Sequence, residues 1–222
     1  PVTEPEKTFE EVLDEHPVSI QVNGQWQTFP NAKAAEEASY EEYKANLRRN
    51  AKNFRITDEH LGEGGPKAKF QANVNAIRLL KELEAAGQQA SPEQQEVLSR
   101  YVGWGGLSDA FDPEKPAWAL EYAQLKELLT PEEYAAARSS TLNAHYTSPT
   151  VIQAIYEAVD RMGFETGNIL EPSMGVGNFF GMLPEKMRNS RLYGVELDPV
   201  SGRIAKQLYP KADITVGGFE TT

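Results

Sequence analysis

The chain contains no cysteine, and it is short of positive charge. Without cysteine it forms neither a disulfide nor a cysteine-ligated zinc site. Its 22 Lys and Arg residues are outnumbered by 33 Asp and Glu residues, so the net charge is -11. Bulk attraction to a phosphate backbone requires the opposite sign of charge. Any contact with nucleic acid is therefore expected to be local, or to be made by regions outside this chain.

Long apolar runs and histidine are also scarce. No apolar run approaches the roughly 20 residues that a membrane-spanning helix needs. The first residues, PVTEPEKTFEEVL, lack the basic and then apolar layout of a secretion signal. We therefore expect a soluble, cytoplasmic protein with no membrane partner. His16, His60 and His145 lie far apart in the sequence, and we expect no metal site.

Turn and helix signals at the beginning of the chain predict a small N-terminal module, residues 1–60. Asn23 and Gly24 separate two segments in which apolar and polar residues alternate. Both central positions of a type I′ turn need positive φ, so this dipeptide predicts a β-hairpin. A short helix is predicted over residues 9–15, and a polar helix over residues 32–52.

A glycine-rich hinge leads from this module into a predicted helical domain, residues 61–140. Two helices in it begin at Ser91 and Thr130, each followed by proline, with Gln94 and Glu133 at the capping-box position. Between them lies the stretch YVGWGG. Its three glycines around Trp104 would let the loop approach a ligand or another backbone, or form a tight buried turn anchored by the indole; we favour the buried turn.

The last part of the chain, residues 141–222, alternates strictly between strand and helix signals. The predicted elements are strand 168–170, helix 179–186, strand 192–196, helix 201–208 and strand 214–216. This order is typical of a βαβαβ half of a doubly wound α/β sheet.

The helix before this sheet has clear signals at both ends. It begins with Ser148 as N-cap and Pro149 as first helical residue, and Gly163 ends it. Its apolar residues form one stripe, the pattern of a helix face that packs on a core. The stripe consists of Val151, Ile152, Ile155, Ala158, Val159 and Met162.

The loop after the first of these strands, in NILEPSMGVGNFFGML, has the layout of a site for an adenosine-containing cofactor. Gly175 and Gly177 would admit a ligand to the backbone, and Glu196 at the tip of the next strand would accept hydrogen bonds from ribose hydroxyls. A dinucleotide site prefers a third glycine where this chain has Phe180. Glu171 would repel a diphosphate but suit an ammonium group. S-adenosylmethionine (SAM) fits best, and an NAD-binding oxidoreductase fragment is the alternative.

Three motifs, HYTSPTVI, ILEPSMGVGNFF and LYGVELDP, resemble the first three cofactor motifs of the N6-adenine-specific DNA methyltransferases, in the order and spacing of that family. The segments before them resemble the region that precedes the methylase motifs in large methylase and helicase fusion proteins of phages and conjugative elements. The chain also begins with Pro1 and ends soon after a strand-like segment. We expect it to be one piece of a longer polypeptide, with a partial Rossmann-like SAM methyltransferase sheet after a mainly helical domain and a small β-hairpin.

The resemblance implies a cofactor-binding role for a set of residues around the predicted sheet. Hydroxyls near the start of the helix that begins at Ser148 would lie close to the methionine carboxylate, and Glu171 would face the amino group. The glycine-rich backbone would surround the adenosyl sulfonium, and two apolar side chains would cover the faces of the adenine. The set is Tyr146, Thr147, Ser148, Glu171, Ser173, Gly175, Gly177, Glu196, Leu197 and Phe219. Simpler explanations remain for five of these residues: core packing for Tyr146 and Phe219, helix capping for Thr147 and Ser148, and an apolar strand end for Leu197.

Two departures from the family limit the predicted activity. Where the family often has an acid before an aromatic at the third strand, this chain has Gly218 and Phe219, so cofactor affinity would be weaker unless Glu220 substitutes. The chain also lacks the Asn or Asp, two prolines and aromatic that hold the target adenine in this family. We therefore predict a SAM-binding portion of a DNA methyltransferase with no catalytic residue of its own, inactive alone and bound to DNA through its parent protein. The alternative is a non-catalytic DNA-protection or assembly module with a methylase-like fold.

Overall fold

A computed structural model describes residues 16–58, 60–144 and 146–222. The chain divides into two compact units, Pro1–Ala51 and Lys52–Thr222. The helix predicted over residues 9–15 lies outside the described residues. The finer division predicted at residues 60 and 140 stays a prediction.

The first unit is a β-hairpin followed by a helix. Strands β1 (Val18–Val22) and β2 (Gln25–Phe29) pair antiparallel, and helix α1 follows (Ala32–Asn50). Asn23 and Gly24, between the strands, have φ angles of 52° and 74°, so the predicted hairpin is confirmed.

The second unit begins with a helical region. It contains α2 (Pro66–Ala85), α3 (Pro92–Ser99), α4 (Ala119–Leu128) and α5 (Pro131–Ser140), with short 3-10 turns at Ser108–Phe111 and Pro116–Trp118. Both predicted capping boxes are present, at the starts of α3 and α5. The buried turn predicted around Trp104 is confirmed as well. The indole is fully buried, and its ring meets that of Phe111 edge to face at 5.3 Å.

Helix α6 (Pro149–Arg161) leads into a parallel sheet of three strands in the order β3-β4-β5. The strands are β3 (Asn168–Glu171), β4 (Arg191–Glu196) and β5 (Asp213–Val216), and the connecting helices are α7 (Asn178–Gly181) and α8 (Pro199–Leu208). Two 3-10 turns follow α7 and β5, at Glu185–Met187 and Phe219–Thr221. The three predicted strands and the second connecting helix are confirmed. Because the strands run parallel, their carboxyl ends lie side by side.

The predicted helix over residues 179–186 is wrong in its length. Helix α7 makes a single turn, and the chain continues through Pro184 into the 3-10 turn at Glu185–Met187. Proline has no backbone N–H to donate and restricts the residue before it, so the helix could not pass Pro184.

The apolar stripe predicted on α6 packs only in part. Ile152 is fully buried, and the Tyr156 hydroxyl donates a hydrogen bond to the Phe179 carbonyl at 2.8 Å, which turns this side of the helix inward. Val151, Ile155 and Met162 follow a neighbouring line of the helix and are exposed, Met162 at 83%. The prediction of one packed stripe is therefore wrong, because no element in the described part of the chain covers this second line.

One hydrophobic core runs through the whole second unit. Residues from the helical region, such as Phe70 and Trp104, belong to the same buried cluster as Ile204 of α8. Phe54, near the start of the unit, belongs to the same cluster. Its N–H donates a hydrogen bond to the Leu208 carbonyl at 2.8 Å. The helical region and the sheet are therefore parts of one folded body.

An ion-pair network ties α5 to α2 and α8. The buried Glu133 carboxylate accepts hydrogen bonds from Lys81 at 2.7 Å and from Arg203 at 2.6 Å. Burial acts to raise the pKa of Glu133, but these two cations and the Thr130 N–H outweigh it and lower the pKa to about 2. The network holds the start of α5 against the sheet half of the unit.

Candidate functional site

A cavity of about 640 Å³ lies at the carboxyl ends of β3 and β4. One wall is the glycine-rich loop, residues 173–175, and a second is the end of β4, residues 196–198. The third comes from the end of α5 and the segment before α6, between residues 139 and 147. Its volume is that of a small-molecule or cofactor site, and its position is where open α/β sheets bind ligands.

Two glycines with positive φ shape the loop, but they serve different purposes. Gly175, at φ 57°, lines the cavity, and a Cβ there would lie 3.0 Å from the Tyr146 ring. Gly177, at φ 84°, precedes α7, where a Cβ would lie 2.5 Å from the buried Tyr209 ring. Ser173 lines the cavity, whereas Gly177 is not among the lining residues and supports the loop from behind.

Glu196 fastens the glycine-rich loop to β4. Its two carboxylate oxygens accept hydrogen bonds from the Gly175 N–H at 2.7 Å and the Asp198 N–H at 2.8 Å. Burial raises the pKa of Glu196, and these hydrogen bonds act against that rise. A carboxylate oxygen accepts more than one hydrogen bond, so Glu196 retains acceptor capacity toward the cavity.

Glu171 is the half-buried last residue of β3 and lines the same cavity. Its carboxyl group has no hydrogen-bond or ion-pair partner among residues 16–58, 60–144 and 146–222. Burial raises the pKa of Glu171 to about 7. A carboxyl group with a raised pKa in a cleft is a candidate for binding a ligand cation or for proton transfer.

The segment before α6 contributes two of its three predicted residues. Tyr146 and Thr147 line the cavity, and the Tyr146 hydroxyl lies 3.3 Å from Ser201 Oγ, within hydrogen-bond distance. Burial is the main cause that raises the pKa of Tyr146, so the phenol is neutral at physiological pH. Ser148 is the N-cap of α6, but its side chain makes no capping hydrogen bond and is not part of the lining.

The two predicted adenine-stacking residues are placed differently. Leu197, 73% exposed, lines the cavity, whereas Phe219 lies in the 3-10 turn after β5 and is not a lining residue. The Glu220 carboxylate folds back against Gly218, so closely that a side chain at that position would overlap it. Glu220 does not line the cavity either.

Several lining residues are not among the sequence predictions. Asp198 caps α8 by accepting hydrogen bonds from the Val200 N–H at 2.7 Å and the Ser201 N–H at 3.0 Å, and burial is the main cause that raises its pKa. Its Asp-Pro pair is a recognisable helix-start signal. Ser139, in the last turn of α5, and Asn143, in the turn that follows it, carry no local signal, because only the packing of α5 brings them to the cavity.

The charge of the lining favours a cationic ligand. Glu171, Glu196 and Asp198 line the cavity, and no Lys or Arg does so in the part of the chain that the structure describes. The adjacent helix α7 has four residues, too few to build the partial positive charge with which longer helices attract a diphosphate. The described residues also contain no group of three or more His, Cys, Asp or Glu arranged to hold a metal ion.

Comparison with known proteins gives two partial relatives. Defense against restriction protein B of Escherichia phage P1 is 25% identical over 159 residues, which are 72% of this chain and 6% of that protein. Type II methyltransferase M.CvrRI of Paramecium bursaria Chlorella virus XZ-6E is 43% identical over 58 residues, which are 26% of this chain and 15% of that protein. The chain thus spans a small fraction of either relative. No family model and no solved structure matches it.

These similarities relate the chain in part to a methyltransferase and to a phage restriction-defence protein. Among the described helices, none combines the length and the apolar character that crossing a membrane would require.

Proposed function

We propose that this chain is the cofactor-binding portion of a SAM-dependent DNA methyltransferase that acts on the N6 amine of adenine. The observation that carries the proposal is the acidic cavity in which Glu171, Gly175 and Glu196 lie together at the ends of neighbouring parallel strands. The partial similarity to a type II methyltransferase supports it. A Rossmann-like methyltransferase sheet, of which β3, β4 and β5 would be one half, is part of the same proposal.

In this proposal, the acidic residues of the cavity bind two polar parts of SAM, its amino group and its ribose. Glu171, which has no partner among the described side chains, would pair with the ammonium group of the methionine moiety. Glu196 would accept hydrogen bonds from the ribose hydroxyls, and Leu197 would cover one face of the adenine. When bound, SAM supplies a methyl group activated by its positively charged sulfur.

The remaining predicted residues have supporting roles in this proposal. The hydroxyls of Tyr146 and Thr147 would lie near the methionine carboxylate, and Ser173 beside the sulfonium. Ser148, Gly177 and Phe219, outside the lining, would act through the conformation of the segments that they belong to.

Methyl transfer itself would depend on residues that this chain does not contain. The acceptor motif of the family, Asn or Asp followed by two prolines and an aromatic, is absent from the sequence. We propose that the parent protein supplies the site for a flipped-out adenine, as well as the DNA contacts that the acidic chain does not favour. The proposal also includes a helicase domain elsewhere in the parent protein.

A non-catalytic DNA-protection module is the second candidate. It is favoured by the similarity that covers 72% of this chain, to a phage protein named for defence against restriction. A parent protein that contains this chain should transfer radiolabelled methyl groups from SAM to adenine in DNA under the first proposal. Binding of SAM without any transfer would favour the second.

Titration calorimetry of the chain with SAM, S-adenosylhomocysteine and NAD tests the cofactor. We expect SAM and its demethylated product to bind at one site and NAD to give no binding heat. Tight binding of NAD, with none of SAM, would overturn the proposal and favour an NAD-dependent oxidoreductase.

A further inference from the structure

A four-residue turn in the helical region forms part of the wall of the cavity, because its first residue, Gly103, is a lining residue. This GWGG turn is Gly103–Gly106, and α2 anchors it through the fully buried Asn73. The Asn73 side chain donates to the Gly103 carbonyl at 2.6 Å and accepts from the Val102 N–H at 2.9 Å. The indole of Trp104, which is part of the turn, is fully buried. The turn therefore has a fixed position in the core.

Gly103 makes room for the ring of Tyr146. It has a φ of 68°, and a Cβ at this position would lie 2.6 Å from Tyr146 Cε2. On the opposite edge of the ring, a Cβ on Gly175 would lie 3.0 Å from Cε1. The Tyr146 ring is therefore held between a glycine of the helical region and a glycine of the ligand loop.

Gly105 makes room for the backbone next to that ring. A Cβ there would overlap the carbonyl oxygen of Ala144, which belongs to main chain and cannot rotate away. Gly106 donates its N–H to the Thr141 carbonyl at 3.2 Å. Ala144 and Tyr146 both line the cavity. The turn thus contacts two parts of the cavity wall, the backbone of Ala144 and the side chain of Tyr146.

We propose that the GWGG turn is a positioning element of the ligand site, in which Gly103 and Gly105 hold the Ala144 backbone and the Tyr146 ring against the glycine-rich loop. The ligand is SAM under the function proposed above, on which this inference rests. The Tyr146 hydroxyl, within hydrogen-bond distance of Ser201 Oγ, then joins this wall to the start of α8. The helical region would therefore set the shape of the site that the sheet alone leaves incomplete.

Gly105→Ala is the direct test, with Gly65→Ala as the matched control. Gly65 has an ordinary φ of -73° at the start of α2, and a Cβ there meets nothing within 4 Å. By calorimetry, Gly105→Ala should lower SAM affinity at least about tenfold, and Gly65→Ala by less than about twofold. Circular dichroism should show both variants folded. Equal affinities for SAM in the two folded variants would overturn the inference.

A double-mutant cycle between Gly103 and Tyr146 separates positioning from general stability. Gly103→Ala should weaken SAM binding about tenfold in the unmodified chain, but less than about twofold when Tyr146→Leu has already removed the edge of the ring. The unfolding free energies should show the same non-additivity. Additive losses would overturn the inference, and this cycle decides the matter if Gly105→Ala fails to fold. If the unmodified chain binds no SAM, the proposed function falls and this inference falls with it.

Discussion

At the scale of single residues, the two glutamates of the cavity are held in opposite ways. Glu196 accepts two backbone hydrogen bonds and holds the glycine-rich loop in place. Glu171 is half-buried with no partner in the described portion of the chain, and burial raises its pKa to about 7. Glu196 therefore has a structural role, whereas the Glu171 carboxyl is free to meet a ligand only under the function proposed above.

SAM affinity should rise with pH up to neutrality. The Glu171 carboxyl, with a pKa of about 7, must lose its proton before it can pair with the ammonium group of SAM. Calorimetry between about pH 5.5 and about pH 7 should show tighter binding at the higher pH, because the amino group of SAM keeps its proton over this range. In Glu171→Gln the affinity should be lower and this dependence absent. Parallel pH profiles of the two proteins would contradict the assigned role.

The same variant tests the pKa of Glu171 without ligand. Its pKa lies above the ordinary 4.5, so between these values the folded chain binds more protons than the unfolded chain. Stability should therefore fall as the pH rises from about 4.5 to about 7. Glu171→Gln removes this contribution to the pH dependence of stability. Denaturant unfolding should show a smaller loss over that interval for the variant, and an unchanged loss would place the carboxyl in a more solvated environment.

Glu196→Ala should weaken SAM binding by about 1 to 3 kcal/mol, through lost hydrogen bonds from ribose to a charged acceptor. It also releases the Gly175 N–H, which adds to the loss. Glu196→Gln keeps one acceptor oxygen and should lose less. Calorimetry measures both variants. Unchanged affinity in Glu196→Ala would mean that the ribose lies elsewhere.

At the scale of elements, α6 shows that a helical pattern does not decide which apolar residues are buried. Ile152 and Ile155 belong to one stripe in the sequence, yet one is fully buried and the other is 41% exposed. The hydrogen bond from Tyr156 to the carbonyl of Phe179 settles the rotation of the helix, and this contact is not visible in a hydrophobic pattern.

The two isoleucines should differ in their effect on stability. Ile152→Ala leaves a cavity in the core and should lower the free energy of unfolding by about 2 to 5 kcal/mol. Ile155→Ala, on the exposed line, should cost less than about 1 kcal/mol. Urea unfolding of both variants measures the difference. Equal losses would mean that another surface covers Ile155 in solution.

Elements with short-range signals were predictable from the sequence. The turn at Asn23 and Gly24 and the capping boxes at Ser91 and Thr130 depend on residues within four positions of each other, which is why their predictions hold. The part of the third cavity wall that comes from α5 and the turn after it was not predictable. Ser139 and Asn143 reach it only because ion pairs and core packing place α5 beside the sheet, across long separations in sequence.

At the scale of the molecule, the helical region and the sheet of the second unit share one hydrophobic core. This core is continuous from α2 to α8, and the GWGG turn contacts the cavity wall directly. The acidic cavity agrees with a net charge of -11, which suits a small cationic ligand better than a nucleic acid.

Truncation tests this unity and the division predicted at residue 140. Residues 52–222 should unfold cooperatively and retain SAM binding, since they hold the whole core and the cavity. Residues 141–222 alone should show no cooperative transition, because they lose the partners of Tyr146 and of the buried face of α8. Thermal melts followed by circular dichroism provide the readout. Cooperative folding of 141–222 would instead support a separate domain there.

A crystal structure of the chain with S-adenosylhomocysteine would show directly whether the cavity is a SAM site. We expect the ligand in the cavity at the ends of β3 and β4, with its amino group at Glu171 and its ribose at Glu196. Density for that ligand elsewhere, or a different molecule in this cavity, would contradict the proposed function.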